Sequence, residues 1–303
     1  MSPASHWTMK SALGGAALWT AVAIIAGIHR APFGVIELLF LLAPLVIVPL
    51  GLELGSSIAP SQSALESAAR RLQPFAAILV VAAFWLPPGP RAAIAVLPWF
   101  AVCGLIGLAG VLGLLNKNVA GIPSLLLHVG RLHLAIGGAW LVVSRLGAHP
   151  TGFQEPIILL TAVHFHYSGF GLSMIASTTL QIARERSWSS RLLFPAAVLA
   201  VFMPFVLAAG FVFSQRLKVM AAVILAVSVF AFAAELFRMS FRLASPVARA
   251  YLKVAPSLVF AGMALAAIYA VGDYVGHDWL IIPQVARTHG ALNGPGFILL
   301  ALL

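Results

Sequence analysis

The chain has 303 residues, 61% of them hydrophobic and only 9% charged, and its mean hydropathy is +1.03. That balance excludes a soluble globular domain and points to an integral membrane protein. The formal net charge of +10 does not imply nucleic acid. Lys and Arg are scattered singly between apolar runs, so membrane lipids with anionic headgroups are the expected counter-charge.

Apolar runs of about 20 residues are long enough to cross a hydrocarbon core of roughly 30 Å as helices, and no alternating barrel-strand pattern competes with them. Runs bounded by charges or by Pro and Gly predict helices over 11–29, 33–55, 71–87, 91–115 and 120–146, then 153–183, 191–213, 216–243, 250–272 and 280–302. The expected fold class is all-α, a polytopic transmembrane helix bundle of about nine or ten spans, with residues 1–303 as one domain. The first run lacks a small-residue cleavage signature and reads as a retained helix. Between the second and third runs, PSQSALESAARR (Pro60 to Arg71) reads as a polar linker, with Ser63 capping a short interfacial helix and Glu66 three residues on. Cys103, the lone cysteine, lies in an apolar run and reads as helix packing. The last run holds Gly290, Gly294, Pro295 and Gly296, which weaken or bend a helix, so a broken or partly re-entrant segment is the alternative to a full span there.

Orientation follows from the loops. Lys10, Arg70, Arg71, Lys117, Arg184, Arg186, Arg191, Arg238, Arg242, Arg249 and Lys253 fall on one side, against Arg30, Arg91, Arg145, Arg216, Lys218 and Arg287 on the other. The positive-inside rule then makes the N-terminus cytoplasmic.

Polar side chains within the spans need a reason, because hydrocarbon supplies no water to pair with them. Glu37 sits about one turn inside its span, either reaching the interface or acting as a partly desolvated acid that holds a proton. In TAVHFHYSGF (Thr161 to Phe170), His164 lies near the expected midplane, and His166 projects some 200° round the helix from it. The two imidazoles therefore do not share a ligand unless a π-bulge intervenes. By depth His164 is expected nearer the bundle centre. Ser168 shares a face with His164, while Gly169 shares one with His166 and lets a neighbour approach closely. In THGALNGPGF, His289 and Asn293 are four apart and project from one face. Topology is expected to bring Glu37, His164, His166, His289 and Asn293 together in the outer half of the bundle, as candidate catalytic groups.

In SLLLHVGRLHLAIGG, Arg131 is the costliest residue to bury, and its counter-ion is expected among Glu37, Glu53, Glu155 and Glu235. Arg131 and His133, with Tyr167, Ser168 and Phe170, are the candidate substrate-binding residues. Glu235, Arg238 and Arg242 read as an i, i+3, i+7 cluster at a helix end.

TAVHFHYSGF and THGALNGPGF, with ELLFLLAPLVIVPLGLEL as a weaker third patch, resemble the YndJ-like family of bacterial multi-pass membrane proteins. The resemblance implies a membrane location, here the bacterial inner membrane, and points to His164, His166, His289 and Asn293. The family's transporter label implies solute carriage.

Two functions remain open on these residues. One is a membrane-embedded enzyme using acid/base chemistry on a lipophilic isoprenoid- or lipid-like molecule, for example protonation-driven cyclisation or isomerisation, with Glu37 as proton donor. No cofactor is required by the sequence. A divalent metal held by His164 or His166 with His289 and Glu37 is an alternative form of that site. The other is a secondary transporter, proton-coupled, of a small solute.

Overall fold

The computed structural model describes residues 3–28, 33–58, 63–115, 121–188 and 190–303. Nine helices among the described residues are long and apolar enough to span a membrane. They are α1 (Pro3–Gly27), α2 (Val35–Ser56), α3 (Ala64–Phe84), α4 (Pro90–Leu115), α5 (Ile122–Leu146), α6 (Ile157–Glu185), α7 (Leu193–Phe213), α8 (Gln215–Ser240) and α9 (Pro246–Val275). A tenth helical segment, α10 (282–302), is π-helical over Ala286–Gly290 and Leu292–Leu299. The chain is an all-α polytopic membrane bundle. Arg30, Lys117 and the first three residues of the Pro60 to Arg71 stretch, which entered the loop expectations, lie outside the described residues.

One boundary differs instructively. Ser63 caps α3, its Oγ accepting from the Glu66 N–H at 3.2 Å while Glu66 Oε2 accepts from the Ser63 N–H at 3.0 Å. The expected capping box is present, but it opens the spanning helix itself rather than a separate interfacial one. The helix therefore begins at Ala64, seven residues before the expected 71, and Glu66, Arg70 and Gln73 become buried residues of the bundle.

Contacts group the chain into two compact units, Met1–Met174 and Ile175–Leu303, with α6 running from the first into the second. In the first, α2 is the most enclosed helix, and it carries two prolines. Pro44 and Pro49 have no N–H to give, and the helix widens to a π-turn over Ala43–Ile47. The Val48 N–H reaches back five residues to Ala43 O, and the Ala43 N–H goes to Phe40 O. Leu39 O and Pro44 O are thereby left without their usual helical donors. Side chains from neighbouring helices supply them: Tyr167 Oη donates to Leu39 O at 2.7 Å, and Gln73 Nε2 donates to Pro44 O at 2.8 Å. Trp19 Nε1 donates to the adjacent Leu38 O at 2.8 Å. In hydrocarbon these bonds replace what water would provide, and they tie α1, α3 and α6 to one helix.

Helix α1 packs against this π-turn at Gly15, where an added Cβ would collide with the Leu45 backbone carbonyl. Gly14, one residue earlier, meets nothing within 4 Å of such an atom. Helix α5 packs closely on both sides: Gly130 and Gly137 face Ser173 and His166 of α6, and Gly138 faces Cys103 of α4, which is buried as expected.

In the second unit, Ser214 joins α7 to α8 and its Oγ accepts from the Leu217 N–H. Lys218 of α8 pairs with Asp273 of α9 at 2.7 Å. At the opposite end of α8, Glu235 pairs with Arg238 at 3.1 Å, whereas Arg242, expected in the same cluster, lies over the Trp188 ring at 5.7 Å.

The close approach at Gly15 makes a specific prediction. Gly15→Ala lowers the stability of the detergent-purified protein by about 1 to 3 kcal/mol, because backbone cannot yield as a side-chain tip can. Gly14→Ala leaves it unchanged or slightly raised. Thermal unfolding of the two variants side by side checks the contrast.

Candidate functional site

The histidine motif forms a second π-turn, Phe165–Gly171, inside α6. Its polar side chains bond to the backbone four residues back. His164 Nδ1 lies 2.7 Å from Leu160 O, His166 Nδ1 lies 2.8 Å from Ala162 O, and Ser168 Oγ donates to His164 O at 2.9 Å. A carbonyl only accepts, so Nδ1 carries the proton in each ring. Trp99 Nε1 then donates to His166 Nε2 at 3.2 Å, which occupies both nitrogens of that neutral imidazole. Fully buried, His166 also stacks on Trp99 with centroids 6.0 Å apart and meets Phe40 edge-on at 5.1 Å.

The expectation that His164 is the more central of the two is corrected: His164 is exposed and His166 fully enclosed. Depth along the helix axis does not decide this; the face against α5 does. On that face Gly137 admits the His166 ring, and Gly169 admits His133. His133 is fully buried, with its ring 5.5 Å from Phe165. Phe170 is fully buried against Gly51 of α2, and Tyr167 holds the Leu39 carbonyl. Glu37 sits in the first turn of α2, where its Oε2 accepts from the Gly34 N–H at 2.8 Å and closes the helix start.

In the second unit, His289 and Asn293 share a face of α10 as expected. His289 Nδ1 lies 2.9 Å from Gly262 O of α9 and 3.0 Å from Asn293 Nδ2, which is also 3.0 Å from Met263 Sδ. Gly262 has no side chain to obstruct Asn293, and an added Cβ there would strike the amide oxygen. Among the described residues, no group of three or more His, Cys, Asp or Glu is arranged to hold a metal ion.

Among the described residues, buried charge gathers elsewhere in the first unit, where α2 ends and α1, α3 and α5 begin. Arg131 bonds Glu66 through Nη2 and lies 3.2 Å from His128 Nδ1 through Nη1. Glu66 is not among the four acids named for Arg131 from sequence. Glu53 pairs instead with Arg70 at 3.5 Å, and Glu155 accepts from Ser144 Oγ at 2.5 Å and from the Leu159 N–H. Arg70 also donates to Thr8 Oγ1 at 2.9 Å and to Leu52 O. Glu66, Arg70 and Gln73 follow an i, i+4, i+7 spacing, one face of a helix. The spacing is present in the sequence, but it marks a buried face only when the stretch lies inside a span.

Beside this network a groove of about 330 Å³ opens between α1, α2 and α3. Leu45 forms its floor, and Lys10, Ser11 and Gln73 are polar residues among its lining. Ser11 Oγ donates to Gln73 Oε1 at 2.6 Å.

Long apolar helices, proline-widened turns and charges paired inside the helix packing define a multi-pass membrane protein. Comparison with known proteins gives the family: the chain matches the one described as YndJ-like protein over residues 38–297, and it belongs to that family. It is 27% identical over 272 residues to a protein of Bacillus subtilis (strain 168) described as "Uncharacterized membrane protein YndJ", covering 89% of this chain and 48% of that one. The chain thus spans about half the length of that relative. No solved structure matches it.

The Glu66–Arg131 pair makes the next prediction. Glu66→Gln strands a buried guanidinium and lowers stability by about 3 to 5 kcal/mol, whereas Glu66→Gln with Arg131→Met, which keeps an acceptor for the Ser63 N–H, recovers part of that loss. Thermal unfolding of both variants in detergent measures the difference.

Proposed function

We propose that this protein handles a lipophilic molecule taken sideways from the bilayer, with a lipid- or isoprenoid-like compound as its substrate class. The observation that carries this reading is the groove between α1, α2 and α3, whose lining is largely apolar and includes three polar side chains, Lys10, Ser11 and Gln73. A hydrocarbon chain fits such a lining, and the Lys10 ammonium suits its head. The bacterial inner membrane is the proposed location, with the beginning of α1 on the cytoplasmic side.

An enzyme acting on such a molecule is the favoured form. Glu37, His164, His166, His289 and Asn293 stay its candidate catalytic groups, but their support is uneven. His166 has both nitrogens engaged, and the Glu37 carboxylate closes a helix start. Tyr167, Ser168, Phe170, Arg131 and His133 are already committed to contacts within the bundle. Ser11 and Gln73 are bonded to each other, and Gln73 also to Pro44 O, so Lys10 becomes the stronger candidate for substrate contact.

Proton-coupled transport is the second reading. The network of His128, Arg131, Glu66, Arg70 and Glu53 favours it, since ionisable groups within spans commonly mark proton routes.

Lipid extraction and mass spectrometry of cells with and without the gene separates the two. An enzyme changes the amount of at least one lipid or isoprenoid species, and Gly14→Leu, which fills the groove, reverses the change. Unaltered lipids together with solute uptake that collapses when the proton gradient is discharged would favour the transporter instead.

A further inference from the structure

Helices α1 and α3 run parallel along the groove, Thr8 meeting Arg70 and Ser11 meeting Gln73, each pair three residues from the next. On α1 the lining extends from Trp7 to Leu18. Eleven residues at about 1.5 Å each give about 16 Å, close to half of a hydrocarbon core of roughly 30 Å. The groove is therefore one leaflet long. Its two ends differ chemically. Trp7, which is 53% exposed, and Lys10 stand at the end where α1 begins, a pairing typical of headgroup level. Leu18 and Ile78 lie deeper, with Gly14 leaving open space between.

The polar groups further in are occupied. Gln73 accepts from Ser11 and donates to Pro44 O, so neither side chain of that pair needs a ligand. Among the described residues Lys10 is the single charged one in the lining, and it enters no ion pair with any of them. The groove thus offers an apolar slot of one-leaflet length with one positive charge at its mouth.

We infer that this groove is a binding site for an anionic phospholipid of the leaflet in which α1 begins. One acyl chain lies along Gly14, Leu18 and Leu45, and the headgroup phosphate meets the Lys10 ammonium. The inference rests on the reading that the groove admits a lipophilic molecule, and it adds the charge of the head and the leaflet of origin. A single basic side chain near an anionic surface contributes about 1 kcal/mol, which is about a fivefold preference.

Native mass spectrometry of the full chain, exchanged into mixed micelles holding equal phosphatidylglycerol and phosphatidylcholine, tests it. The unmodified protein retains one phospholipid with about fivefold preference for phosphatidylglycerol. Lys10→Gln retains lipid but takes the two alike. Gly14→Leu, which extends into open space, retains neither, and Ile78→Trp, filling the groove from the other wall, does the same, so misfolding of one variant does not obscure the result. Equal retention of both lipids by the unmodified protein, abolished by the filling variants, overturns the headgroup assignment and leaves the lipophilic reading standing. Retention unaffected by either filling variant overturns both.

Discussion

The first unit is organised by a shortage of backbone donors in α2. Two prolines five residues apart remove N–H groups from a helix enclosed in apolar surroundings, where an unpaired carbonyl costs several kcal/mol. Leu39 O and Pro44 O must find partners on other helices. Tyr167 and Gln73 provide them, and both are fixed by packing: Tyr167 within the π-turn of α6, Gln73 one turn from the Arg70 bonds. The helix arrangement follows from this requirement, since α3 and α6 have to present a donor at the level of each freed carbonyl.

The polar side chains of TAVHFHYSGF also turn onto backbone. His164, His166 and Ser168 lie against the carbonyls four residues back. His166 goes further, because Trp99 closes its second nitrogen. In α10, which is widened around its Gly and Pro residues, His289 reaches out to a carbonyl of α9. Histidines that stand out in an apolar sequence thus act here as carriers of backbone hydrogen bonds. Open, apolar-lined space with a charge at its mouth occurs elsewhere, along α1, which moves attention from the imidazoles to Lys10 and the groove.

Much of the fold was legible because span length and apolar composition are local properties. Nine spans among the described residues follow from apolar runs alone. The final segment, where a break was the alternative to a full span, is one continuous helical stretch over 282–302 that widens to π-helix around its Gly and Pro residues. The Ser63–Glu66 capping box was readable as a pair. What the box belonged to was not. Read as a linker, it concealed Glu66 as the partner of Arg131, 65 residues away. Choosing among acids requires knowing which helix ends adjoin, and chain order does not supply that. Likewise the facing of His164 and His166 turned on where Gly137 and Gly169 let α5 and α6 approach, a relation between two helices. The groove was invisible for the same reason: Gly14 and Gly15 look alike in sequence, but one meets the Leu45 backbone and the other meets open space.

A double-mutant cycle between Pro44 and Tyr167 tests the central claim directly, with unfolding of the detergent-purified protein as the readout. Tyr167→Phe alone removes the donor to Leu39 O and costs about 1 to 3 kcal/mol. In a Pro44→Ala background the restored backbone N–H lets the helix satisfy its own carbonyls, so the same change costs much less, with a coupling above about 0.5 kcal/mol. Additive losses, with Tyr167→Phe equally costly in both backgrounds, would contradict the dependence of the bundle on the proline-freed carbonyls.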